Sequence, residues 1–273
     1  MRIETLWQLA ALAALTGLGH ATCPVGGDTS IIANTGTPVG TTEVRNNITL
    51  YITRPPSKSC SAPAHPNTAI LYLTDVFGLA LPENLLLADS FARAGYLTVA
   101  PDLFNGSPAP GDINVPGFNT TLFLSQHGTN ATDPIIASTI SYLRSSLNVT
   151  RIGAVGYCFG GKYAFRFLDD SLSPEQRVDA AFTAHPSLLE DEEILAIQGP
   201  VSVAQAENDS MLLPKRRAEI EALLKQTGRE YMVSLYSGTP HGFAVRADVS
   251  NGEQRFAKES AFLQAVRWFG EFL

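Results

Sequence analysis

One of the three cysteines lies in a setting typical of a catalytic nucleophile. Residues 156–160 read G-Y-C-F-G, with Cys158 at the centre, between an apolar strand pattern and a helical pattern. In Gly-x-nucleophile-x-Gly turns of this kind, the glycines make room for neighbouring backbone at a strained strand-to-helix junction. The helix N-terminus would also favour the thiolate form of the sulfur. The alternative is a buried, unreactive cysteine in a glycine-rich turn, and the strand, spacing and helix together favour a nucleophile.

A nucleophilic thiol needs a general base, and the base needs an acidic group that orients it. In folds with this turn, the chain order is nucleophile, acid and base, each after a later strand. The strand pattern at 201–206 is followed by Glu207 and Asp209. Asp209 is the predicted acid, and Glu207 is the second candidate.

His241 is the histidine that satisfies this order. It lies in a loop with glycine and proline after the strand pattern at 231–235. Of the other four histidines, three precede Cys158, and His185 precedes the acid. His241 is the predicted base, and the alternative is a surface-loop histidine without a catalytic role.

Backbone N–H groups are expected to stabilise the negative charge that develops on a substrate oxygen during attack. One of them belongs to the residue after the nucleophile, Phe159. The second normally comes from the loop after an early strand, and here Val76 in the D-V-F-G segment at 75–78 is the best candidate.

Alternating strand and helix patterns must position these side chains. Predicted strands cover residues 47–53, 69–74, 96–100, 151–155, 180–184, 201–206 and 231–235. Predicted helices cover residues 83–94, 134–145, 159–168, 214–227 and 253–273. This alternation indicates crossover helices around a mainly parallel central sheet, an α/β fold. Ligands of such sheets bind beyond the carboxyl ends of the strands, and each candidate catalytic residue follows a predicted strand.

Two segments are expected to be irregular in structure, and a third is expected to be an edge strand of the sheet. Residues 23–42 and 104–130 are rich in residues that favour loops. The first is predicted as an ordered loop or arm and the second as a long irregular insertion. Residues 47–53 alternate as a half-buried edge strand would. Long loops on compact domains often carry function, so 104–130 is expected to shape the substrate pocket.

The N-terminus is predicted to be a secretory signal. A weakly basic start is followed by an apolar run over 6–18 and then by Gly19-His20-Ala21, which offers small residues at a cleavage site. A membrane anchor is the alternative, but the run is shorter than the roughly 20 residues that a spanning helix requires. The sequence therefore predicts a signal peptide at 1–21, a single mature domain at 22–273, secretion, and no stable membrane association.

Cysteine use and glycan acceptors agree with export. An odd number of cysteines in a secreted chain suggests one disulfide and one free thiol; Cys23 and Cys60 are the predicted pair, and both being unpaired is the alternative. Asn-x-Ser/Thr triplets in an exported chain are candidate glycan sites. The predicted sites are Asn47, Asn105, Asn119, Asn130 and Asn148, while a sixth triplet at Asn208 is set aside because it adjoins Asp209.

Composition excludes several classes of partner. The 273 residues are 45% hydrophobic and carry a formal charge of −7, which describes a folded domain without the clustered Lys and Arg that nucleic-acid binding needs. The His and Cys residues have no zinc-ligand spacing, and no glycine-rich phosphate loop occurs. No metal or other cofactor is expected, and the sequence leaves the oligomeric state open.

Five segments together resemble the dienelactone hydrolases, the cysteine-dependent branch of the α/β-hydrolases. They are L-T-D-V-F-G at 73–78, A-G-Y-x-x-x-A-P-D-L-F at 94–104, G-Y-C-F-G-G at 156–161, A-E-N-D-S-M-L-L-P at 206–214 and H-G-F-A-V-R at 241–246. They span nearly all of the chain beyond about residue 47, in the family's order. The signal and glycan acceptors look more like secreted fungal members than bacterial cytosolic ones.

The resemblance implies an α/β-hydrolase fold and a triad of Cys158, Asp209 and His241 that forms an acyl-enzyme at sulfur. It implies that Asp75, where the family typically carries Glu, contacts the resting thiol, and that Arg246 holds a substrate carboxylate. A second arginine is expected in the 104–130 loop, but this loop contains no Arg or Lys. A larger or neutral ester or lactone is therefore expected, in place of the small anionic dienelactone.

The expected function is hydrolysis of a small-molecule ester or lactone. A second possibility is acyl transfer or isomerisation in a biosynthetic pathway, with the same triad and with water excluded. A third is a non-catalytic binding protein on the same fold, although a binding module has no need for three such residues in this order.

Overall fold

The computed structural model describes residues 32–56 and 65–273, and these residues form one eight-stranded sheet with helices on both faces. The strands in chain order are β1 (Thr41–Arg45), β2 (Ile48–Thr53), β3 (Thr68–Leu73), β4 (Leu97–Pro101), β5 (Arg151–Tyr157), β6 (Ala180–Ala184), β7 (Val201–Asn208) and β8 (Tyr231–Pro240). The helices are α1 (Pro82–Arg93), α2 (Thr120–Gln126), α3 (Thr129–Leu147), α4 (Phe159–Arg166), α5 (Asp191–Leu195), α6 (Pro214–Thr227), α7 (Phe243–Arg246) and α8 (Gly252–Phe272).

The strand order across the sheet is β1-β2-β4-β3-β5-β6-β7-β8. The six strands from β4 to β8 in this order run parallel, and β1 and β2 pair antiparallel at one end. Helices connect the parallel strands because a parallel pair requires a crossover. The predicted α/β-hydrolase fold, with a mainly parallel sheet flanked by helices, is confirmed.

Two hydrophobic cores sandwich the sheet. Along β3, Ala69, Leu71 and Leu73 face the core packed by α3, α4 and α6, while Ile70 and Tyr72 face the core packed by α1, α7 and α8. All of these side chains are fully buried. A strand buried on both faces needs a continuous apolar run, which is why this strand was recognisable from sequence.

The alternation at 47–53 predicted an edge strand. In the structure this strand, β2, is not at the edge of the sheet. Strand β1 covers its outer side through a hairpin whose two-residue turn is Asn46-Asn47, with φ of 51° and 63°. Asparagine tolerates this left-handed conformation, and a turn with two such residues matches the twist of paired strands. The last residues of the segment predicted at 23–42 therefore belong to the outer strand, β1.

The predicted irregular insertion at 104–130 also contains regular structure. Helix α2 lies inside it, with the side chain of Asn119 accepting a hydrogen bond from the Leu122 N–H as an N-cap. Helix α3 begins at Thr129, five residues before the predicted start. The remaining residues, from Asn105 to Phe118, form the loop that borders the cavity described below.

The predicted signal peptide at 1–21 and both cysteines of the predicted disulfide, Cys23 and Cys60, lie outside the described residues. Within the described ranges, none of the helices has the length and apolar character needed to cross a bilayer.

Candidate active site

The turn at Cys158 has the strained geometry that its sequence predicted. Cys158 has φ of 52° and ψ of −110° at the junction of β5 and α4. A Cβ on Gly156 would lie 2.3 Å from the Gly160 carbonyl oxygen, and one on Gly160 would lie 2.2 Å from the Leu73 carbonyl oxygen. Both glycines are therefore needed for the backbone to pass, and together they hold the cysteine at the carboxyl end of the central strand.

The register of the last two strands brings the predicted acid and base together. Asn208 at the end of β7 pairs with Pro240 at the end of β8, so the next residues, Asp209 and His241, lie side by side. His241 Nδ1 lies 2.9 Å from each carboxylate oxygen of Asp209. The carboxylate thereby favours the tautomer with a proton on Nδ1, which leaves Nε2 as the atom available for proton transfer.

Asp209 is fixed by further hydrogen bonds. Its Oδ1 also accepts from the N–H groups of Met211 and Leu212, at 2.8 and 2.9 Å. Burial by itself would raise the pKa of Asp209, but His241 and these two N–H groups lower it below its ordinary value. Glu207, the second candidate acid, accepts instead from the Gly238 N–H and so ties the end of β7 to β8.

His241 is predisposed to carry a positive charge. Burial lowers its pKa, but the Asp209 carboxylate and the interaction with Cys158 outweigh burial and raise it to about 9. Its Nε2 is buried and has no hydrogen-bond partner among the described residues. The imidazole and the Cys158 side chain line the same cavity.

This cavity has a volume of about 290 Å³. Its wall is mainly apolar, and several aromatic rings contribute to it: Phe77, Phe118, Phe123 and Phe159. Charged side chains at the wall are Asp112 and Arg246 besides His241. A cavity of this size and character suits a small organic molecule with few polar groups.

The two predicted oxyanion donors, Val76 and Phe159, both line the cavity. Within the described chain, the N–H groups of these two residues donate to no other group, whereas the neighbouring N–H groups of Phe77 and Gly160 do. Buried backbone donors are nearly always paired. Two unpaired donors on residues that line the same cavity as Cys158 are therefore available for an oxygen of a bound molecule.

Asp75 is fully buried, and both of its carboxylate oxygens accept hydrogen bonds. Oδ1 accepts from the Phe77 N–H and from Asn84 Nδ2, and Oδ2 accepts from Arg246 Nε at 3.2 Å. Burial raises the pKa of Asp75, while these donors oppose the rise. Among the described residues, Asp75 is ion-paired with Arg246, and the contact with Cys158 that the resemblance implies stays a prediction.

Arg246 reaches the cavity from α7. Its guanidinium carbon lies 4.7 Å from the centre of the Phe77 ring, and its side chain is 33% exposed. Arg246 was predicted to hold a substrate carboxylate, and its position at the cavity wall is compatible with contact to a ligand. Its charge, however, is paired with Asp75.

Two further residues at the site were not predicted from sequence, and both lie in the turn after β6. Ser187 Oγ lies 3.6 Å from Cys158 Sγ, and Ser187 lines the cavity. His185 is fully buried, with its ring 5.0 Å from that of His241 at an angle of 63°. Burial, and then the charges of His241 and Arg246, hold the pKa of His185 well below its ordinary value. In the sequence, the position of Ser187 and His185 after a parallel strand was the signal that could have marked them as site residues.

Comparisons with known proteins show the family of the chain. The model of the dienelactone hydrolase family matches residues 57–273. The chain belongs to the dienelactone hydrolase family. It is 40% identical over 259 residues to the hydrolase pyvD of Aspergillus violaceofuscus, covering 95% of this chain and 99% of that relative. It is also 38% identical over 249 residues to the hydrolase tropI of Talaromyces stipitatus, covering 88% and 93% respectively.

Solved structures show the same fold. One is a dienelactone hydrolase-like promiscuous phosphotriesterase from metagenomic libraries, with a TM-score of 0.66 and 16% identity. The match covers 87% of this chain and 99% of that chain.

Membership of the dienelactone hydrolase family and the hydrolase relatives together identify the protein as a hydrolase.

The predicted glycan acceptors all lie on the surface: Asn47, Asn105, Asn119, Asn130 and Asn148 are exposed. In the same described ranges, no group of three or more His, Cys, Asp or Glu side chains is arranged to hold a metal ion.

Proposed function

We propose that the protein hydrolyses a carboxylic ester or lactone through a thioester on Cys158, with His241 as the proton carrier and Asp209 as its orienting acid. One observation carries the proposal. Cys158 and His241 line the same cavity, with Nδ1 of the imidazole bonded to Asp209 and Nε2 left without a partner. This arrangement fits the division of roles in nucleophile–base–acid triads.

In the first half of the reaction, the Cys158 thiol gives its proton to Nε2 of His241, Sγ attacks the carbonyl carbon as the thiolate, and a carbon–sulfur bond forms. The negative charge that develops on the carbonyl oxygen is stabilised by the N–H groups of Val76 and Phe159. As the carbon–oxygen bond breaks, Nε2 of His241 gives its proton to the leaving oxygen. The alcohol of an ester departs, whereas the alcohol of a lactone stays attached to the acyl group.

In the second half, water attacks the thioester carbon while Nε2 takes one of its protons. The carbon–sulfur bond then breaks, the acid is released, and the electron pair returns to sulfur beside the protonated imidazole. Asp209 stabilises the imidazolium and holds the ring in position throughout. Each cycle consumes one ester and one water and restores the starting enzyme.

The test is hydrolysis of a panel of 4-nitrophenyl esters and enol lactones by the wild-type chain, Cys158→Ala and His241→Ala. Turnover by the wild type and a loss of at least about 10³-fold in kcat in each variant are expected. Ser210→Ala is a matched control, because Ser210 lines the same cavity without a role in the proposed chemistry. Mass spectrometry of acid-quenched wild type should locate the acyl group on Cys158.

Full turnover by Cys158→Ala would overturn the thioester mechanism. Absence of turnover by wild type across the panel would favour acyl transfer or isomerisation, or a binding role, as the function of the same cavity.

We also propose that the chain is exported, with residues 1–21 removed, Cys23 and Cys60 paired, and glycans on the surface asparagines. The support is the apolar run at 6–18 followed by small residues, the odd number of cysteines, and the exposure of the five acceptors. A free thiol at Cys158 is consistent with that pairing.

A further inference from the structure

We propose, on the basis of the hydrolytic function above, that the substrate is electrically neutral at its acyl end. In this proposal it carries an apolar arm that lies across the cavity mouth, and Asp112 selects against anions. The proposal departs from the carboxylate-binding role that Arg246 was expected to have. It rests on the charges at the cavity wall and on the side chains around its opening.

The positive charge of Arg246 is already neutralised by a partner that cannot move away. Asp75 is completely buried, and both of its oxygens are held, by Asn84 and the Phe77 N–H on one side and by Arg246 on the other. A substrate carboxylate would have to compete with a fixed anion for the same guanidinium. Arg246 can still donate hydrogen bonds to a neutral carbonyl or ether oxygen, because such bonds do not require a free net charge.

Asp112 adds a negative charge that is not neutralised. It lines the cavity, its Oδ1 accepts from the N–H and side chain of Asn114, and it makes no ion pair with any residue of the described ranges. The segment 104–130, in which Asp112 lies, contains no Lys or Arg. A like charge placed against a binding group is a recognised means of rejecting a wrong ligand, so an anionic acyl group is disfavoured.

The cavity mouth is apolar. Three exposed side chains line the cavity from three different segments: Ile113, Leu188 and Met211, which are 36%, 46% and 49% exposed. They come from the 104–130 loop, the turn after β6 and the loop after β7. Exposed apolar side chains gathered around one opening mark a contact surface, and here the surface continues the aromatic wall outward. An apolar arm of the substrate would bury these side chains.

The charge selection can be tested with two nearly isosteric substrates. The 4-nitrophenyl ester of monomethyl glutarate is neutral, and the 4-nitrophenyl ester of hemiglutarate carries a carboxylate at the same distance. After correction for their rates of alkaline hydrolysis, we expect kcat/KM to favour the neutral ester by about tenfold or more, as one uncompensated like charge gives. Asp112→Asn should reduce this ratio severalfold.

Glu221→Gln is the matched control, because it removes the same charge from the exposed face of α6, away from the cavity. It should leave the ratio unchanged. A ratio that favours the anionic ester, or one that Asp112→Asn and Glu221→Gln alter equally, would overturn the proposed role of Asp112.

The apolar arm can be tested with a series of 4-nitrophenyl esters from acetate to decanoate, used below their micelle-forming concentrations. We expect kcat/KM to rise with chain length in wild type and the rise to be reduced in Ile113→Ser. Val115→Ser is the control, because Val115 is similarly exposed in the same loop and does not line the cavity. A wild-type rate that falls with chain length, or equal effects of the two serine variants, would overturn the proposed arm.

These outcomes are separate from failure of the hydrolytic function. If no ester in either set is hydrolysed by wild type, the proposed function itself fails. If esters are hydrolysed through Cys158 but the anionic or short-chain ones are preferred, hydrolysis stands and the substrate class proposed here is wrong.

Discussion

Ser187 contacts the proposed nucleophile, Cys158, twice. Its hydroxyl oxygen lies 3.6 Å from the sulfur, and its backbone N–H donates to the Cys158 carbonyl at 3.0 Å. The serine is 4% exposed and belongs to the turn after β6. In this chain the thiol therefore has a hydroxyl neighbour, at a site where the family resemblance implied a carboxylate.

Ser187→Ala should remove the side-chain contact and leave the backbone contact intact. Because a single neutral hydrogen bond contributes about 1 kcal/mol, we expect kcat/KM to fall about three- to tenfold. The rate at which iodoacetamide alkylates Cys158 should change in the same variant, since the sulfur loses its neighbour. Ser210→Ala, at the same cavity, should change neither rate. Alkylation and kcat/KM that both remain at wild-type values would show that the hydroxyl does not position the sulfur.

Stability should decrease as pH rises from 7 to 10. The pKa of His241 is raised to about 9 in the folded protein, above about 6.5 in an unfolded chain. Stabilisation from the imidazolium is therefore complete below the unfolded value and is lost as pH rises through 9, by up to about 3 kcal/mol. Thermal unfolding across this range should show a falling Tm, and His241→Gln should flatten the curve. An equal fall in that variant would assign the effect to other groups.

Gly160→Ala should destabilise the fold strongly, because its Cβ would lie 2.2 Å from the Leu73 carbonyl oxygen. Relief requires movement of the central strands, so we expect a loss of about 3 kcal/mol or more in the free energy of unfolding. Gly270→Ala is the control, because nothing lies within 4 Å of its Cβ position in α8, and it should gain up to about 1 kcal/mol. Urea midpoints measure both, and similar midpoints would contradict the steric role of Gly160.

Expression in a eukaryotic secretory host tests the export proposal. The secreted protein should begin at Thr22, gain the mass of two hydrogens on reduction, and lose mass on treatment with N-glycosidase. At Asn119 the helix cap uses Oδ1, whereas a glycan attaches to Nδ2, so capping and glycosylation are compatible there. A protein that stays inside the cell with residues 1–21 attached would contradict export.

Much of the fold was predictable because the parallel strands are buried on both faces and therefore appear as short apolar runs. The hairpin of β1 and β2 was missed because β1 is exposed and polar, so no hydrophobic pattern marks it. Its turn, Asn46-Asn47, was the available signal. The regular structure in 104–130 was missed because α2 buries only Phe123 and so has little amphipathic pattern.

The candidate catalytic residues were predictable because chain order and strand ends restrict where each can lie. The partners of Asp75 were not, since they depend on how α1 and α7 pack around one buried carboxylate. Ser187 and His185 follow β6 in the same way that Asp209 follows β7. Serine and histidine occur in many structural roles, so their residue types alone did not mark them as site residues. Only the distances to Cys158 and His241 distinguish them from ordinary turn residues.

His241, the proposed base, follows the outermost strand of the described sheet. Among the described residues, strand β8 pairs only with β7 and is half-exposed along most of its length. Strand β5, which ends one residue before Cys158, is buried between two neighbours. Edge elements with few buried contacts open at lower free energy than a core does. Fraying of this strand would separate His241 from the sulfur while the rest of the sheet remained intact. Mild denaturant should then inactivate the enzyme reversibly, ahead of global unfolding.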